Sequence, residues 1–222
     1  MNSVKLVVFD LAGTTVRDNG EVPASFLSVL HRHGVQVSDE QVENVRGSSK
    51  RQAVFDLLPE SDNRSIRAKE IYDSFQAELG ARYRRDGVEP VDGAEDVFTE
   101  LRENGVRVVL NTGFDRDITS LLLTTLKWDG GLVDAIVCGD DVAHGRPAPD
   151  LIFAAMNAVE VHDAQSVANV GDTVRDLQAA QIAGVKWNIG VLSGAHSLER
   201  LQRVPHTHLL DSVAQLPDLL LR

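Results

Sequence analysis

The chain has 222 residues, 43% of them hydrophobic and 25% charged, which is enough to bury a sizeable core in ordinary globular proportions. Its formal net charge of −11, from 22 Lys and Arg against 33 Asp and Glu, argues against non-specific nucleic-acid binding, and no basic run offsets it. One cysteine, Cys138, excludes a disulfide framework and a cysteine zinc site, and no apolar stretch approaches the ~20 residues of a membrane span. The start, MNSVKLVVFD, does not read as a signal peptide, so the expectation is a soluble cytoplasmic protein, monomer or homodimer, with no nucleic-acid or membrane partner.

In chain order, a strand is expected at Lys5–Phe9, ending in Asp10 and a Gly13-Thr14-Thr15 turn. No strand pattern follows for some seventy residues. Helical patterns run instead over Pro23–His33, Asp39–Val45, Lys50–Leu58 and Asn63–Arg84, the last with Ala68, Ile71, Tyr72, Phe75, Leu79 and Tyr83 on one stripe. The stretch GVEPVDGAED, with its Gly and Pro, reads as a hinge back to the remainder. From there strands alternate with helices: helix Ala94–Asn104, strand Val106–Asn111, helix Asp115–Leu126, strand Ala135–Cys138, helix Pro149–Ala158. The pattern continues with strand Ser166–Val170, helix Arg175–Ala183, strand Trp187–Leu192, a weaker strand His208–Leu210 and helix Ser212–Leu221.

Strands this continuous in Val, Ile and Leu are covered on both faces, and the alternation predicts an α/β fold with a doubly wound parallel sheet. Residues 1–16 and 88–222 would form this core, and residues 17–87 an all-helical cap over the carboxyl edge of the sheet, where ligands of such sheets bind.

Four segments end a strand with polar residues: Asp10 with its turn, Thr112-Gly113, Arg146 in GRPAPD, and Asp172 with Asp176 one helical turn later. Parallel strands bring such tips together. Carboxylates suit a hard cation such as Mg²⁺, and a carboxylate can also attack phosphorus. A cation, a hydroxyl and backbone amides would then hold the charge of the transferring group. Blander roles remain open for single residues: a turn aspartate at Asp10, a dipole-facing acid at Asp176, turn caps at Thr14 and Thr15. The seven histidines lack zinc-ligand spacing and are expected in surface or turn positions.

DLAGTT, NTG, GRPAPD and GDTVRD resemble the four ordered motifs of the haloacid dehalogenase superfamily of phosphohydrolases, over nearly the whole chain and with a helical cap inserted after the first motif. The resemblance implies Asp10 as nucleophile, Mg²⁺ held by Asp10, the Ala12 carbonyl, Asp172 and Asp176, and a phosphoryl group bound by Thr112, Gly113 and Arg146. Most members carry Asp two residues after the nucleophile, as the acid that protonates an alkoxide leaving group. Here that residue is Ala12, the pattern of the phosphonoacetaldehyde hydrolase branch, in which a cap lysine forms an imine with the substrate aldehyde. Lys50 stands three residues after Gly47, at the branch's Gly-x-x-Lys spacing.

Four positions depart from that branch: Arg46 replaces a Met, Ala53 a His, Phe114 a Tyr, and Glu21 falls roughly where a Cys stands. They point to a different small phosphorylated or phosphonylated metabolite, such as one with a carboxylate for Arg46. Lys50 is then either an imine-forming lysine or a substrate clamp, and Thr14 a further substrate contact. An ordinary phosphate monoester phosphatase, of the phosphoglycolate phosphatase type, is the alternative. A non-catalytic phospho-accepting regulatory protein is the rival from another class. A phosphomutase is disfavoured by Ala12, because reversible transfer to a hydroxyl needs the missing base.

Overall fold

In the computed structural model, which describes residues 4–222, six strands form one parallel sheet: β1 (Leu6–Asp10), β2 (Arg107–Asn111), β3 (Ala135–Val137), β4 (Val167–Gly171), β5 (Trp187–Val191) and β6 (His208–Leu210). The reading of the first residues as no leader falls partly on residues 1–3, outside that description, as do the side chains of Asp39, Glu43 and Asn44. The spatial order is β3-β2-β1-β4-β5-β6, the doubly wound order expected from the strand–helix alternation. Strand order reverses at β1, whose neighbours are β2 on one side and β4 on the other. The register sets Asp10 beside Asn111 and Phe9 beside Val170, so the tips of β1, β2 and β4 end level. A crevice at such a reversal is where these sheets bind ligands.

Successive side chains on a strand point to opposite faces, and both faces of this sheet are filled. Val7, Phe9, Val108, Leu110, Ala168 and Val170 pack into one core with α5 (Ala94–Glu103) and the C-terminal turns. Leu6, Val8, Val109 and Val167 pack into a second with α7 (Asp150–Ala158) and α8 (Val174–Ala183). At the centre of the first core, Phe98 meets Phe9 edge-on at 5.1 Å and Trp128 at 5.3 Å. Trp128 also donates its indole N–H to Glu95 at 2.6 Å. The tail expected as one helix from Ser212 to Leu221 is a 3₁₀ turn followed by α10 (Leu216–Leu220), because Pro217 cannot donate and starts a new turn there. A short helix, α9 (Leu198–Leu201), escaped the sequence reading.

Between β1 and α5 lie α1 (Glu21–Arg32), α2 (Asp39–Asn44), α3 (Lys50–Leu57) and α4 (Arg64–Asp86). Their residues join the first core, with Phe26 and Phe75 in edge-on contact at 5.7 Å. The stripe read along α4 is buried throughout. Two connections carry the chain into and out of this helical layer, and they run side by side. Val16 bridges Pro90, Arg17 N–H donates to Glu89 O at 2.9 Å, and Val91 N–H donates to Thr15 O at 2.9 Å. A further tie joins α4 to α6 (Arg116–Leu126): Asp115 caps α6 at Ile118 N and accepts the Tyr72 hydroxyl at 2.5 Å and the Gln76 amide. Among the described residues no helix is long and apolar enough to cross a membrane.

Replacing a buried Phe by Ala removes contacts that its surroundings only partly recover. Phe98→Ala should therefore cost about 3–5 kcal/mol in urea-induced unfolding. A cost below about 1 kcal/mol would contradict the packing described for the first core.

Candidate active site

β1 delivers Asp10 to the crevice as its last residue, 6% exposed, and the turn that follows is shaped by what it must clear. Gly13 has φ +95°, and a Cβ there would lie 2.4 Å from Asp172 Oδ2, so both backbone and space require glycine. Thr14 and Thr15 close the turn on Leu11 O, and the Thr15 hydroxyl donates to Asp10 O at 2.9 Å. The Thr14 hydroxyl, expected at the substrate, is buried and donates to Asp172 Oδ1 at 3.2 Å.

Arg146 is the central cation. Only 7% exposed, it places Nη1 2.7 Å from Asp10 Oδ1 and Nε 2.9 Å from Asp176 Oδ1, while Nη2 donates to the Asn111 side chain. Asp176 completes the N-terminal capping box of α8: its Oδ2 accepts Thr173 N at 3.0 Å and the Thr173 hydroxyl. Both Asp176 oxygens are thus engaged by protein donors. Asp172, 1% exposed, accepts Ala195 N–H on Oδ2 at 2.6 Å.

Three buried carboxylates around one guanidinium leave uncompensated negative charge. Burial, opposed by Arg146 and reinforced by Asp176, raises Asp10 to about 6. Burial, then the charges of Asp10 and Asp176, raise Asp172 to about 8. Among the described residues no group of three or more His, Cys, Asp or Glu side chains forms a closed metal cage. The oxygen donors that line the crevice are the Asp10 and Asp172 carboxylates, which also accept protein hydrogen bonds, and backbone carbonyls such as Ala12. That small all-oxygen set suits a hard divalent cation that keeps waters and takes substrate phosphate.

Asp10, Ala12, Thr112, Gly113, Arg146 and Asp172 share a cavity of about 80 Å³ with Arg46 and Lys50 from the helical layer. Its other walls include Val22, Phe26, Val42 and Phe114. The roof rests directly on the floor. A Cβ on Gly47 would meet Thr173 Oγ1 at 2.3 Å, and one on Gly113 would meet Ser48 O at 3.2 Å. Burial lowers the Lys50 ammonium to about 8, against the opposing pull of Asp18. Lys50 Nζ stands 6.0 Å from the Phe26 ring centroid.

The family profile described as "Haloacid dehalogenase-like hydrolase" matches residues 7–189. The chain belongs to the haloacid dehalogenase-like hydrolases. It is similar to phosphonoacetaldehyde hydrolases of Bacillus cereus: one is 30% identical over 213 residues, covering 88% of this chain and 78% of that protein. The same enzyme of strain B4264 is 29% identical with the same coverage. A solved phosphonoacetaldehyde hydrolase-like protein from Oleispira antarctica shares the fold at TM-score 0.85, with 21% identity over 98% of this chain and 91% of that one. Within the family, this chain is a phosphohydrolase.

Several residues at this hydrolase's site were not singled out in the sequence. Asn111 is the β2 tip in register with Asp10, which the strand pairing alone could have revealed. Asp18 lines the cavity, its Oδ1 accepting Gly20 N at 3.1 Å and Val22 N at 3.3 Å, and burial raises its carboxyl. His196, expected at the surface or in a turn, is 4% exposed, and burial lowers its imidazole to about 4. The segment Ser193–His196 follows β5, the strand beyond β4, and lands against Asp172. Asp140 and Asp141 serve locally, accepting Arg116 N and Cys138 N respectively. Cys138 is buried, with its thiol pushed up to about 11.

Raised carboxyls make the folded state favour protons at Asp10 and Asp172. Their contribution to stability is fully present below about pH 4 and is lost as pH rises through about 6 and then about 8. In chelator, the melting temperature of the wild type relative to Asp172→Asn should therefore fall between pH 5 and pH 8. A difference that stays flat with pH would contradict the charge balance described here.

Proposed function

We propose that this hydrolase cleaves a small phosphonate or phosphate metabolite, with Mg²⁺, through an aspartyl-phosphate on Asp10, and that residues 17–87 act as a cap closing over the core formed by residues 1–16 and 88–222. The observation that carries this reading is the placement of Asp10. It lies at the sheet reversal, bonded to Arg146 and within the field of Asp172, in a cavity lined also by Arg46 and Lys50. The names of the similar Bacillus cereus enzymes support the phosphonate side of it.

Asp10 attacks phosphorus and displaces the leaving group, and water then resolves the acyl phosphate. Arg146, the Thr112 hydroxyl and the Gly113 amide receive the phosphoryl oxygens, and the charge they supply is aimed in advance because Asp176 and Asn111 hold the guanidinium. Asp10, Asp172 and the Ala12 carbonyl would hold the cation, and Mg²⁺ supplies neutralisation of the phosphoryl charge that would otherwise repel a carboxylate nucleophile. Closure of the cap over this cavity would exclude bulk water and strengthen these interactions.

Ala12 offers no proton, so a leaving group must be activated from the roof or be stable on departure. Lys50, with its ammonium lowered to about 8, has an unprotonated fraction near neutral pH, as imine formation with a substrate carbonyl requires. A second reading, an ordinary phosphatase in which Lys50 and Arg46 clamp the substrate, is favoured by an apolar wall and an apolar neighbour. Phe114 lines the cavity without a hydroxyl, and Ala53, three residues after Lys50, is fully buried in the core, so neither handles protons.

A panel of phosphate esters and small phosphonates, phosphonoacetaldehyde included, separates these readings by phosphate release. Asp10→Asn should lower release on every substrate by at least about 10³-fold. Lys50→Ala should lose phosphonate cleavage selectively if an imine forms, and borohydride should then trap an adduct at Lys50. Equal losses on esters and phosphonates would favour the clamp. No turnover of any compound, together with a stable phospho-form, would overturn the enzymatic reading in favour of a switch.

A further inference from the structure

We propose that the loop Ser193–His196 is the mount that aims the Asp172 carboxylate, and that the His196 imidazole is the positioning residue that fixes this mount. The inference rests on the reading above in which Asp172 helps to hold a divalent cation. It concerns residues outside the four sequence motifs.

The loop leaves β5, whose Gly190 pairs with Gly171 at the end of β4, so its first residues fall beside Asp172. Its backbone then runs along the carboxylate. Ala195 N–H donates to Asp172 Oδ2 at 2.6 Å, and His196 N–H donates to Asp172 O at 3.3 Å. At Gly194 the approach is so close that a Cβ would lie 2.0 Å from Asp172 Oδ2. The other carboxylate oxygen is held from across the crevice by Thr14. Ser193 closes the frame, its hydroxyl donating to Gly13 O at 2.8 Å in the turn that follows Asp10. One loop therefore ties the Asp172 carboxylate to the turn that follows Asp10.

What holds the loop is His196. Its Nδ1 accepts the Val174 N–H of the first turn of α8 at 3.0 Å, which places the ring proton on Nε2. That Nε2 is buried without a hydrogen-bond partner among the described residues. Leaving a donor unpaired is unfavourable, and an apolar side chain would fill the same space without that cost. The feature that sets an imidazole apart here is its Nδ1 acceptor, which fastens the loop to the helix that carries Asp176. Groups that orient a metal-binding side chain typically change affinity 10–100-fold when removed.

The test is calorimetric titration of the substrate-free protein with Mn²⁺, and separately with Mg²⁺, alongside circular-dichroism melting. His196→Ala should weaken cation binding about tenfold or more. His196→Asn, whose Oδ1 overlays the lost Nδ1, should restore binding to within about threefold of wild type. Ser193→Ala, which removes one hydroxyl, should weaken it several-fold and serves if His196→Ala does not fold. A folded His196→Ala or Ser193→Ala protein with wild-type affinity would overturn the mount, as would a folded His196→Asn protein as weak as His196→Ala. Wild type binding no better than Asp172→Asn would instead overturn the cation reading, and the mount with it.

Discussion

The structure turns on one guanidinium buried among acids. Arg146 bonds Asp10, Asp176 and Asn111 at once, and these residues come from β1, α8 and β2. Burying an isolated carboxylate is costly, and burying several together is worse, unless fixed donors or a cation answer them. Here the answer is partial. One charge meets three, so Asp10 and Asp172 sit above their ordinary range while each is still hydrogen-bonded. The divalent cation of the proposed mechanism would answer this excess of negative charge, and would also neutralise an anionic substrate before a carboxylate approached its phosphorus.

The fold that creates this concentration was largely legible in the sequence, because hydrophobic runs such as LVVFD and RVVLN are buried on both faces and could hardly be anything but central strands. The α4 stripe was legible for the same reason, a helical period held over many turns. What failed was short or set by pairing. The four-residue α9 is too short for a period to show, and Pro217 divided a helix that hydrophobicity alone ran together.

In the site, Asp10, Thr112 and Asp172 stood out as candidates because each ends or directly follows a strand, but their mutual hydrogen bonds could not be read. The candidate metal ligands Asp176 and Asp172 both accept protein hydrogen bonds, Asp176 from Thr173 and Arg146 and Asp172 from Thr14 and Ala195. Thr14 read as a substrate contact, yet its hydroxyl serves Asp172. Asn111 and His196 were missed since nothing in a single residue's flanks says that a register or a distant loop will bring it to the crevice. Position 12 was legible from the first line. With a methyl group two residues after the proposed nucleophile, the proposed mechanism must activate the leaving group from the helical layer, whose Lys50, Arg46 and Asp18 share the cavity with Asp10.

The central claim is that Asp10 is the atom donor to phosphorus in this constellation. Rapid quenching during turnover of a small phosphorylated or phosphonylated substrate with Mg²⁺, followed by proteolysis and mass spectrometry, addresses it most directly. A transient single phosphoryl addition, labile to hydroxylamine, should appear on the peptide that contains Asp10. Turnover without any phosphoenzyme, or with the label on a different side chain, would contradict the account.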